Sequence, residues 1–402
     1  MTAWLTVIGI TEKGLAGLSA DTLSFIDNAD VLVGGERHLG KVSNSRALRI
    51  DWSEGLDMAQ DEIAEHTGER VVVIASGDPL HYGIGARLVS RFGADAIHFI
   101  PSPGAFSLAA ARMGWSLPDV ICLTVHGRPL ETVNLHLYPN AKLLLLSWNG
   151  RTPKSLAEML TAKGFGDSRM SVLEHMDGET ENRIDGTAEN WSAELTENLN
   201  TIAVECIAGP DAIFWSRAPG LPEAAYQHDG KITKREVRAA TMAALAPLPG
   251  ETLWDVGAGS GAVGVEWMRI DSHNRTTAFE QDPAKCIVIE TNAKQLGVPT
   301  LQVLPGDFLE SIQATDQNPN AIFVGGGVSN PDVLNACWQR LGHGGRLVAN
   351  SVTIEAGRTL MDFQARHGGE LVRISIARSG NIGQMTALRP MMDVLQLKAI
   401  KS

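Results

Sequence analysis

Three glycines, Gly257, Gly259 and Gly261, lie in the stretch WDVGAGSGAVGVEW, after an apolar run and before a helical pattern. Glycines at such a place let the backbone turn tightly and approach a bound nucleotide closely. Together with Ala262 the spacing fits the dinucleotide fingerprint G-x-G-x-x-G/A. It fits equally the G-x-G-x-G turn of enzymes that bind S-adenosylmethionine. The glycines therefore predict a nucleotide-like cofactor and leave open which one it is.

Acidic residues also lie at the ends of successive strand-like runs in this half of the chain. Asp255 lies two residues before Gly257, where a carboxylate can order the loop or accept a hydrogen bond from an amino group. Glu280 ends the next strand-like run, where an acidic side chain accepts from ribose hydroxyls. Asp307 follows the third run and Gly325–Gly327 the fourth. A dinucleotide needs two βα series around its binding crevice, whereas here a single βα series supplies all of these residues. The pattern therefore favours S-adenosylmethionine over NAD.

The stretch KITKREVR indicates a second kind of chemistry. Thr233 and Glu236 fit the capping box that starts a helix. The same helix start carries four basic side chains: Lys231, Lys234, Arg235 and Arg238. Cations at a helix N-terminus oppose the helix dipole, so their presence indicates a use for the positive potential. We expect Lys234, Arg235 and Arg238 to bind a substrate that carries several carboxylates.

The first half has its own loops. IASGDPLHYGIG places Ser76, Gly77 and Asp78 directly after a β-branched run, at the strand end where open α/β sheets bind ligands. In IPSPGAFSLAAARMGW a Pro-Gly pair leads into a helix of small residues. LTVHGRP adds His126 and Arg128 as further candidates for substrate binding.

Apolar runs that alternate with helical patterns along the whole chain predict an α/β architecture. A stretch rich in Pro and Gly separates two halves that do not resemble each other. We therefore expect a first domain at 1–207, a connector at 208–230 and a second domain at 231–402.

The composition narrows the class of protein. The net charge of −12 over 402 residues argues against nucleic-acid binding. The four cysteines form no C-x-x-C pair, so we expect neither a zinc site nor a disulfide frame. No apolar run is long enough to cross a membrane, and the first residues do not look like an export signal. We expect a cytoplasmic protein that binds neither nucleic acid nor membrane and holds no metal.

These motifs together resemble known proteins. The first half resembles the tetrapyrrole methylases of sirohaem and corrin assembly, through VIGITEKG, SGDPLHYGIG and SPGAFSLAAA. Its HGR stretch looks like the subgroup that methylates a precorrin meso carbon. The second half resembles a Rossmann-like class I methyltransferase, through KITKREVRA, DVGAGSGAVGVE, GDFLE and VGGG. In this order, over nearly the whole chain, they resemble a family of fused precorrin methyltransferases.

The resemblance implies a tetrapyrrole-methylase α/β fold followed by a Rossmann-like methyltransferase domain, each with its own S-adenosylmethionine. It implies methylation of a precorrin at carbons 5 and 15, with loss of the carboxyl group from the acetate on carbon 12, in cobalamin biosynthesis. It also implies a homo-oligomer. As cofactor-binding residues it marks Gly77, Asp78, His81, Ser107 and Ser147 in the first half, and Thr233, Gly257, Gly259, Gly261, Glu280, Gly306 and Asp307 in the second.

One departure concerns the first loop. The family commonly has G-x-G-P-G there, and this chain has Gly9, Ile10, Thr11, Glu12, Lys13 and Gly14. Three other functions fit the residues: an NAD-dependent enzyme whose first half binds substrate, a non-catalytic sensor of S-adenosylmethionine, and a methyltransferase for an unrelated acidic metabolite.

Overall fold

The computed structural model describes residues 3–42, 45–315 and 317–402. The chain divides into two units. The first comprises Met1–Arg128 and Tyr138–Ile213, and the second Pro129–Leu137 and Phe214–Ser402. The predicted domain limits stay a prediction.

The first unit begins with a parallel sheet, whose strands are β1 (Leu5–Ile10), β2 (Val31–Gly34), β3 (Leu48–Asp51), β4 (Val71–Ser76) and β5 (Ile97–Ile100). They lie in the order β3-β2-β4-β1-β5. Its helices are α1 (Ala20–Asp27), α2 (Glu36–Leu39), α3 (Leu56–Glu65) and α4 (Gly85–Phe92). Strands β1 and β4 are almost continuously buried, as expected for central strands of a parallel sheet covered on both faces.

A second sheet completes this unit. Its strands are β6 (Ile121–Thr124), β7 (Lys142–Leu146), β8 (Arg169–Glu174), β9 (Asn182–Thr187) and β10 (Asn200–Glu205), in the order β6-β7-β10-β8-β9. Helix α5 (Ala105–Met113) precedes it, and α6 (Thr152–Ala162) follows β7. Strands β6 and β7 are parallel, and the other pairs are antiparallel.

The second unit contains a seven-stranded sheet. The strands of this unit are β11 (Thr252–Val256), β12 (Arg275–Glu280), β13 (Gln302–Pro305), β14 (Ala321–Val324), β15 (Arg346–Ser351), β16 (Glu370–Ile374), β17 (Ala377–Ile382), β18 (Met385–Pro390) and β19 (Val394–Ile400). The sheet order is β13-β12-β11-β14-β15-β19-β16, and β17 pairs with β18 in a hairpin. The helices are α7 (Arg235–Leu245), α8 (Ala262–Ile270), α9 (Pro283–Gln295), α10 (Phe308–Ser311), α11 (Pro331–Arg340) and α12 (Ile354–His367).

The segment 129–137 belongs to the second unit, although the sequence on both sides of it belongs to the first. Within the second unit it packs against the end of α9. A Cβ atom on Gly297 would lie 2.4 Å from the Leu135 nitrogen, and Asn134 Nδ2 donates to the Lys294 carbonyl at 3.1 Å. Burial, together with two nearby arginines, lowers the pKa of His136 to about 4. No pattern in the sequence indicates this excursion.

The predicted α/β class is confirmed, and the apolar runs of both halves form strands where expected. The expected alternation of strands and helices along the whole chain is wrong in two places. Strands β8 to β10 and β16 to β19 follow one another without a helix between them. Strands β9, β17 and β18 are largely exposed. Their sequences lack the continuous apolar runs from which a buried strand can be predicted. No helix among the described residues is long and apolar enough to cross a membrane.

Candidate active sites

The first candidate site is built where β1, β4 and the loop after β5 end side by side. A Cβ atom on Gly9 would lie only 1.7 Å from the Gly77 carbonyl oxygen. Gly77 itself has a φ of 51°, and a Cβ there would lie 2.8 Å from the Gly104 Cα. Three backbone segments thus meet without side chains between them, which leaves an open cradle at the strand ends.

Two cavities of about 990 Å³ and 550 Å³ open beside this cradle. Three of the predicted residues, Gly77, His81 and His126, line both cavities. Ser147 and Arg128 line the larger cavity, and Asp78 lines the smaller one. Ser107 lies on the exposed side of α5, outside both linings. The structure therefore brings most of the predicted residues of this half together and leaves Ser107 apart.

Two of these residues also shape the site. One carboxylate oxygen of Asp78 accepts from the Leu80 nitrogen at 2.9 Å, which orders the loop after β4. Ser147 Oγ donates to Asn200 Oδ1 at 2.5 Å, and both residues are buried. Asn200 carries no motif, so sequence reasoning did not find it.

The atypical first loop is fixed by charges. Glu12 pairs with Lys41 at 2.8 Å and with Arg37, and its other oxygen faces His175 Nδ1 at 3.5 Å. Burial alone would raise the pKa of Glu12, but Lys41 and Arg37 lower it below its usual value. The next residue, Lys13, pairs with Asp177 at 2.7 Å. Ion pairs thus hold the loop whose usual Pro and middle Gly are missing.

Ser76 bridges two side chains that sequence reasoning also missed. Its Oγ lies 2.8 Å from His38 Nε2 and 3.0 Å from Arg37 Nη2. Burial and the positive charges of Arg37 and Lys41 lower the pKa of His38 to about 4, so the imidazole is neutral at pH 7. The rim of the first site therefore holds cationic and neutral donors around the end of β4.

The second candidate site is the glycine turn between β11 and α8. Gly257, Gly259 and Gly261 all have left-handed φ angles, between 60° and 73°. A Cβ atom on Gly257 would lie 2.6 Å from the Gly326 Cα, and one on Gly261 would lie 2.8 Å from the Ile289 side chain. The turn predicted from the sequence thus exists, and the predicted glycine rim after β14 packs directly against it.

Two carboxyl groups lie beneath this turn. Asp255 is fully buried; one of its oxygens accepts from the Gly264 nitrogen at 2.9 Å, and the other, Oδ1, has no hydrogen-bond partner. Burial, with a smaller contribution from the nearby Glu280, raises the pKa of Asp255 to about 7, although the hydrogen bond from the Gly264 nitrogen lowers it. Glu280 Oε2 accepts from the Gly259 nitrogen at 2.8 Å. The structure gives neither carboxylate an ion pair within the ranges it describes.

The remaining predicted residues of this half surround the turn less closely. The Gly306 nitrogen donates to the Glu280 carbonyl at 3.0 Å, and Asp307 caps α10 by accepting from the Leu309 nitrogen at 2.8 Å. The Asn292 side chain holds the turn from α9, since it donates to the Ser260 carbonyl at 2.8 Å. Asn292 also accepts from the Gln227 nitrogen at 2.8 Å, so the chain before α7 is tied to the same place.

The structure contradicts the prediction that Arg238 binds the substrate. Arg238 is 0% exposed and donates through Nε to Glu266 at 2.6 Å, so it does not present its charge to a substrate. Its other nitrogens donate to the Thr233 and Leu221 carbonyls. Glu266 also accepts from the nitrogens of Gly220 and Leu221 and from the hydroxyl of Tyr226. The pair Arg238–Glu266 therefore ties the chain before α7 to α8.

The capping box is wrong as well. Lys234 occupies the N-cap position of α7 and makes no side-chain cap, while the Glu236 carboxylate pairs with Arg378 on the hairpin. Lys231 and Arg235 are exposed, and Lys234 is half-buried. For Lys234 and Arg235 the role in substrate binding stays a prediction, and so does the role of Thr233 in cofactor binding.

Among the described residues, no group of three or more His, Cys, Asp or Glu side chains is placed to hold a metal ion. The sites consist instead of backbone cradles, carboxylates and arginines. Glycine cradles admit a flat nucleoside, and the buried carboxylates Asp255 and Glu280 suit a cationic ligand better than a phosphate. The acceptor groups of the second site therefore fit S-adenosylmethionine, in which an ammonium and a sulfonium outweigh a single carboxylate.

Comparisons with known proteins agree with this geometry. The family model for tetrapyrrole (corrin/porphyrin) methylases matches residues 5–191, and that for the precorrin methyltransferase domain matches 224–401. A precorrin-6Y C(5,15)-methyltransferase (decarboxylating) from Sinorhizobium sp. is 44% identical over 98% of this chain and 95% of its own. One from Mycobacterium tuberculosis is 38% identical over 99% and 100%. The C-terminal domain of precorrin-6Y C5,15-methyltransferase from Rhodobacter capsulatus is 38% identical over 46% of this chain and 100% of its own, with a TM-score of 0.44.

Fold, sites and family models define a methyltransferase, and enzymes of this class use S-adenosylmethionine as the methyl donor. The chain belongs to the family of precorrin-6Y C(5,15)-methyltransferases (decarboxylating). The NAD-dependent alternative and the non-catalytic sensor are thereby set aside.

Removing the buried arginine tests the corrected role of Arg238. We expect Arg238→Ala to lower the free energy of unfolding by about 3–5 kcal/mol, because it leaves Glu266 buried without its cation. Arg235→Ala is the matched control, since Arg235 lies on the same helix with 55% of its side chain exposed. Urea unfolding of both variants is the measurement. A wild-type unfolding curve for Arg238→Ala would contradict the structural role.

The raised pKa of Asp255 predicts a pH dependence of stability. The folded state binds the Asp255 proton more tightly than the unfolded state, so its stabilisation is present at low pH and is lost as pH rises from about 4 to about 7. We expect Asp255→Asn without cofactor to be more stable than the parent by about 4 kcal/mol at pH 8, with almost no difference at about pH 3. Asp307→Asn, at an exposed N-cap, is the control. A difference that does not vary with pH would contradict the assignment.

Proposed function

We propose that this chain methylates a precorrin (precorrin-6Y, also called precorrin-6B) at carbons 5 and 15 and removes the carboxyl group of the carbon-12 acetate, giving precorrin-8 in cobalamin biosynthesis. The observation that carries the proposal is the match, over nearly the full length of both proteins, to relatives that bear this activity in their names. The chain also joins the two kinds of domain that such a double methylation needs.

Each unit holds one S-adenosylmethionine in this proposal. In the first unit Gly77, Asp78, His81, Ser107 and Ser147 contact it, although Ser107 lies outside the two cavity linings. In the second unit Thr233, Gly257, Gly259, Gly261, Glu280, Gly306 and Asp307 do so. The two glycine cradles support this, since both lie at the carboxyl ends of parallel strands. The division into 1–207, 208–230 and 231–402 is part of the proposal; the boundary between the two compact units near 213 supports the division into two, although 129–137 belongs to the second unit.

The reaction depends more on how the protein positions the substrate and the cofactor than on general acid or base catalysis. S-adenosylmethionine, when bound, supplies an electrophilic methyl group. A meso carbon of a reduced tetrapyrrole is enamine-like and already nucleophilic, so the protein must mainly hold it in line and exclude water. Decarboxylation can deliver its electron pair into the imine system of the macrocycle itself. The task of the protein is then to neutralise the other carboxylates and leave the reacting one poorly solvated.

Cations suited to those carboxylates are present in both units. Arg128 and His126 line the larger cavity of the first unit. Lys231, Lys234 and Arg235 lie at the start of α7 in the second. Because the chain carries a net charge of −12, attraction of a polyanion must come from such local groups within about 10 Å, the screening length at 0.1 M salt.

Mass spectrometry of the products tests the function. The parent chain with precorrin and S-adenosylmethionine should add two methyl groups and release one carbon dioxide. We expect Asp78→Ala to lose the carbon-5 methylation and to keep the carbon-15 methylation and the decarboxylation. We expect Glu280→Gln to lose the carbon-15 methylation and the decarboxylation and to keep the carbon-5 methylation. Asp119→Ala, an exposed carboxylate outside both cavities, is the control. Loss of decarboxylation in Asp78→Ala would show that the chemistry is assigned to the wrong halves.

Titration calorimetry tests the number of cofactor sites. We expect two S-adenosylmethionine molecules per chain, and one in Gly259→Arg, because the new side chain fills the open space above the turn. Gly250→Arg is the matched control. It has a similarly left-handed backbone and open surroundings, but lies before β11, away from the strand's carboxyl end. One site in the parent chain would reject the proposal of one cofactor per unit.

A further inference from the structure

Tyr82 has an unusual backbone. Its φ of 57° lies in the left-handed region, which a residue with a bulky side chain seldom adopts. The loop around it is tightly closed, since the Gly85 nitrogen donates to the Pro79 carbonyl at 2.8 Å. A Cβ atom on Gly83 would lie 2.6 Å from the same carbonyl oxygen. Backbone strain that the surrounding structure maintains in this way is characteristic of functional sites.

The strained backbone places the Tyr82 ring between the two cavities of the first unit. The ring stacks on His81, with centroids 5.2 Å apart and planes inclined by 23°, and meets Phe106 edge-on at 6.0 Å. His81 also lies 5.0 Å from Phe106, so the three rings support one another. Tyr82 and His81 line both cavities, yet Tyr82 remains 47% exposed. The Tyr82 ring is therefore held in place by its neighbours and is still exposed enough to contact another group in the cavities.

Arg128 lies over this ring. Its guanidinium carbon is 5.5 Å from the Tyr82 ring centroid, and the side chain lines the larger cavity. The other two arginines that line the cavities are engaged, since Arg37 pairs with Glu12 and Arg87 with Asp57. Within the described ranges, Arg128 has no carboxylate partner. It is the cation of these cavities that is available to an anionic ligand.

We propose that Tyr82 is a positioning residue for the substrate of the first unit. Its ring holds the Arg128 guanidinium in the larger cavity, where Arg128 binds a carboxylate of the macrocycle during methylation at carbon 5. The N–H groups of a guanidinium lie in its plane, so a guanidinium that lies flat above an aromatic face keeps them free for a bidentate carboxylate. A guanidinium already held in place also loses less side-chain freedom when the substrate binds.

This inference rests on the proposed function, and steady-state kinetics of the full chain test it. Carbon-5 methylation is followed by mass spectrometry in Tyr82→Leu, Tyr82→Phe, Arg128→Ala and the double variant Tyr82→Leu/Arg128→Ala. We expect Tyr82→Leu to raise the KM for the precorrin about two- to fivefold, the range of a partly exposed cation–π contact, with kcat and the affinity for S-adenosylmethionine unchanged. Tyr82→Phe keeps the ring face and should restore most of the lost affinity.

The double variant separates positioning from packing. If Tyr82 acts through Arg128, the double variant has the KM of Arg128→Ala alone, because the two effects are not additive. Tyr138→Leu is the matched control, since Tyr138 is equally exposed, at 47%, and lies outside both cavity linings. Its kinetics should equal those of the parent chain.

Three results would overturn the inference. The first is an unchanged KM in Tyr82→Leu, and the second is additive effects in the double variant. The third is a fall of kcat, melting temperature and cofactor affinity together, which marks packing alone. A parent chain that binds S-adenosylmethionine and leaves the precorrin unmethylated rejects the proposed function, and this inference with it. An active parent with an unchanged Tyr82→Leu rejects only the inference.

Discussion

Both sites depend on the close approach of backbone to backbone at the ends of parallel strands. In the first unit the missing Cβ of Gly9 allows the Gly77 carbonyl to come near, and in the second that of Gly257 allows contact with Gly326. A methyl group at either place would push two loops apart, because the nearest heavy atoms would lie at 1.7 Å and 2.6 Å. Two different folds thus meet the same requirement: strands that end together, loops that touch without side chains, and an open cradle above them.

The buried carboxylates divide according to their partners. Glu266 is surrounded by Arg238, a tyrosine hydroxyl and two backbone nitrogens, so its charge is fully compensated and serves the fold. Asp255 has one hydrogen bond and one oxygen without a partner. Such a group costs stability in the free protein, which is consistent with a position shaped for a ligand. The fold therefore neutralises Glu266 with an internal cation, whereas Asp255 beneath the glycine turn keeps one oxygen without a hydrogen-bond partner.

The sequence predicted the features that are local in the chain. The glycine turn at Gly257–Gly261 and the acid at the end of β12 could be found because strand, turn and acid follow one another in fixed order. The role of Arg238 could not, because its partner Glu266 is on another helix and a charge pattern carries no information about burial. The same holds for Glu12, whose partners Arg37 and Lys41 lie beyond the next strand. The sequence therefore predicts which residues lie at a strand end, but it does not predict which side chains form ion pairs between distant elements.

The excursion at 129–137 affects how the second unit should be treated. Leu135 lies against Gly297 at the end of α9, and α9 carries Asn292, which holds both the glycine turn and the chain before α7. A fragment that begins at 214 or 231 lacks these residues, so it exposes the surface of α9 that they cover. A loss of carbon-15 chemistry in such a fragment would therefore not distinguish a missing catalytic contribution from a disturbed cofactor turn. Single substitutions in the full chain keep that support in place, which makes them the sounder way to assign each reaction to its unit.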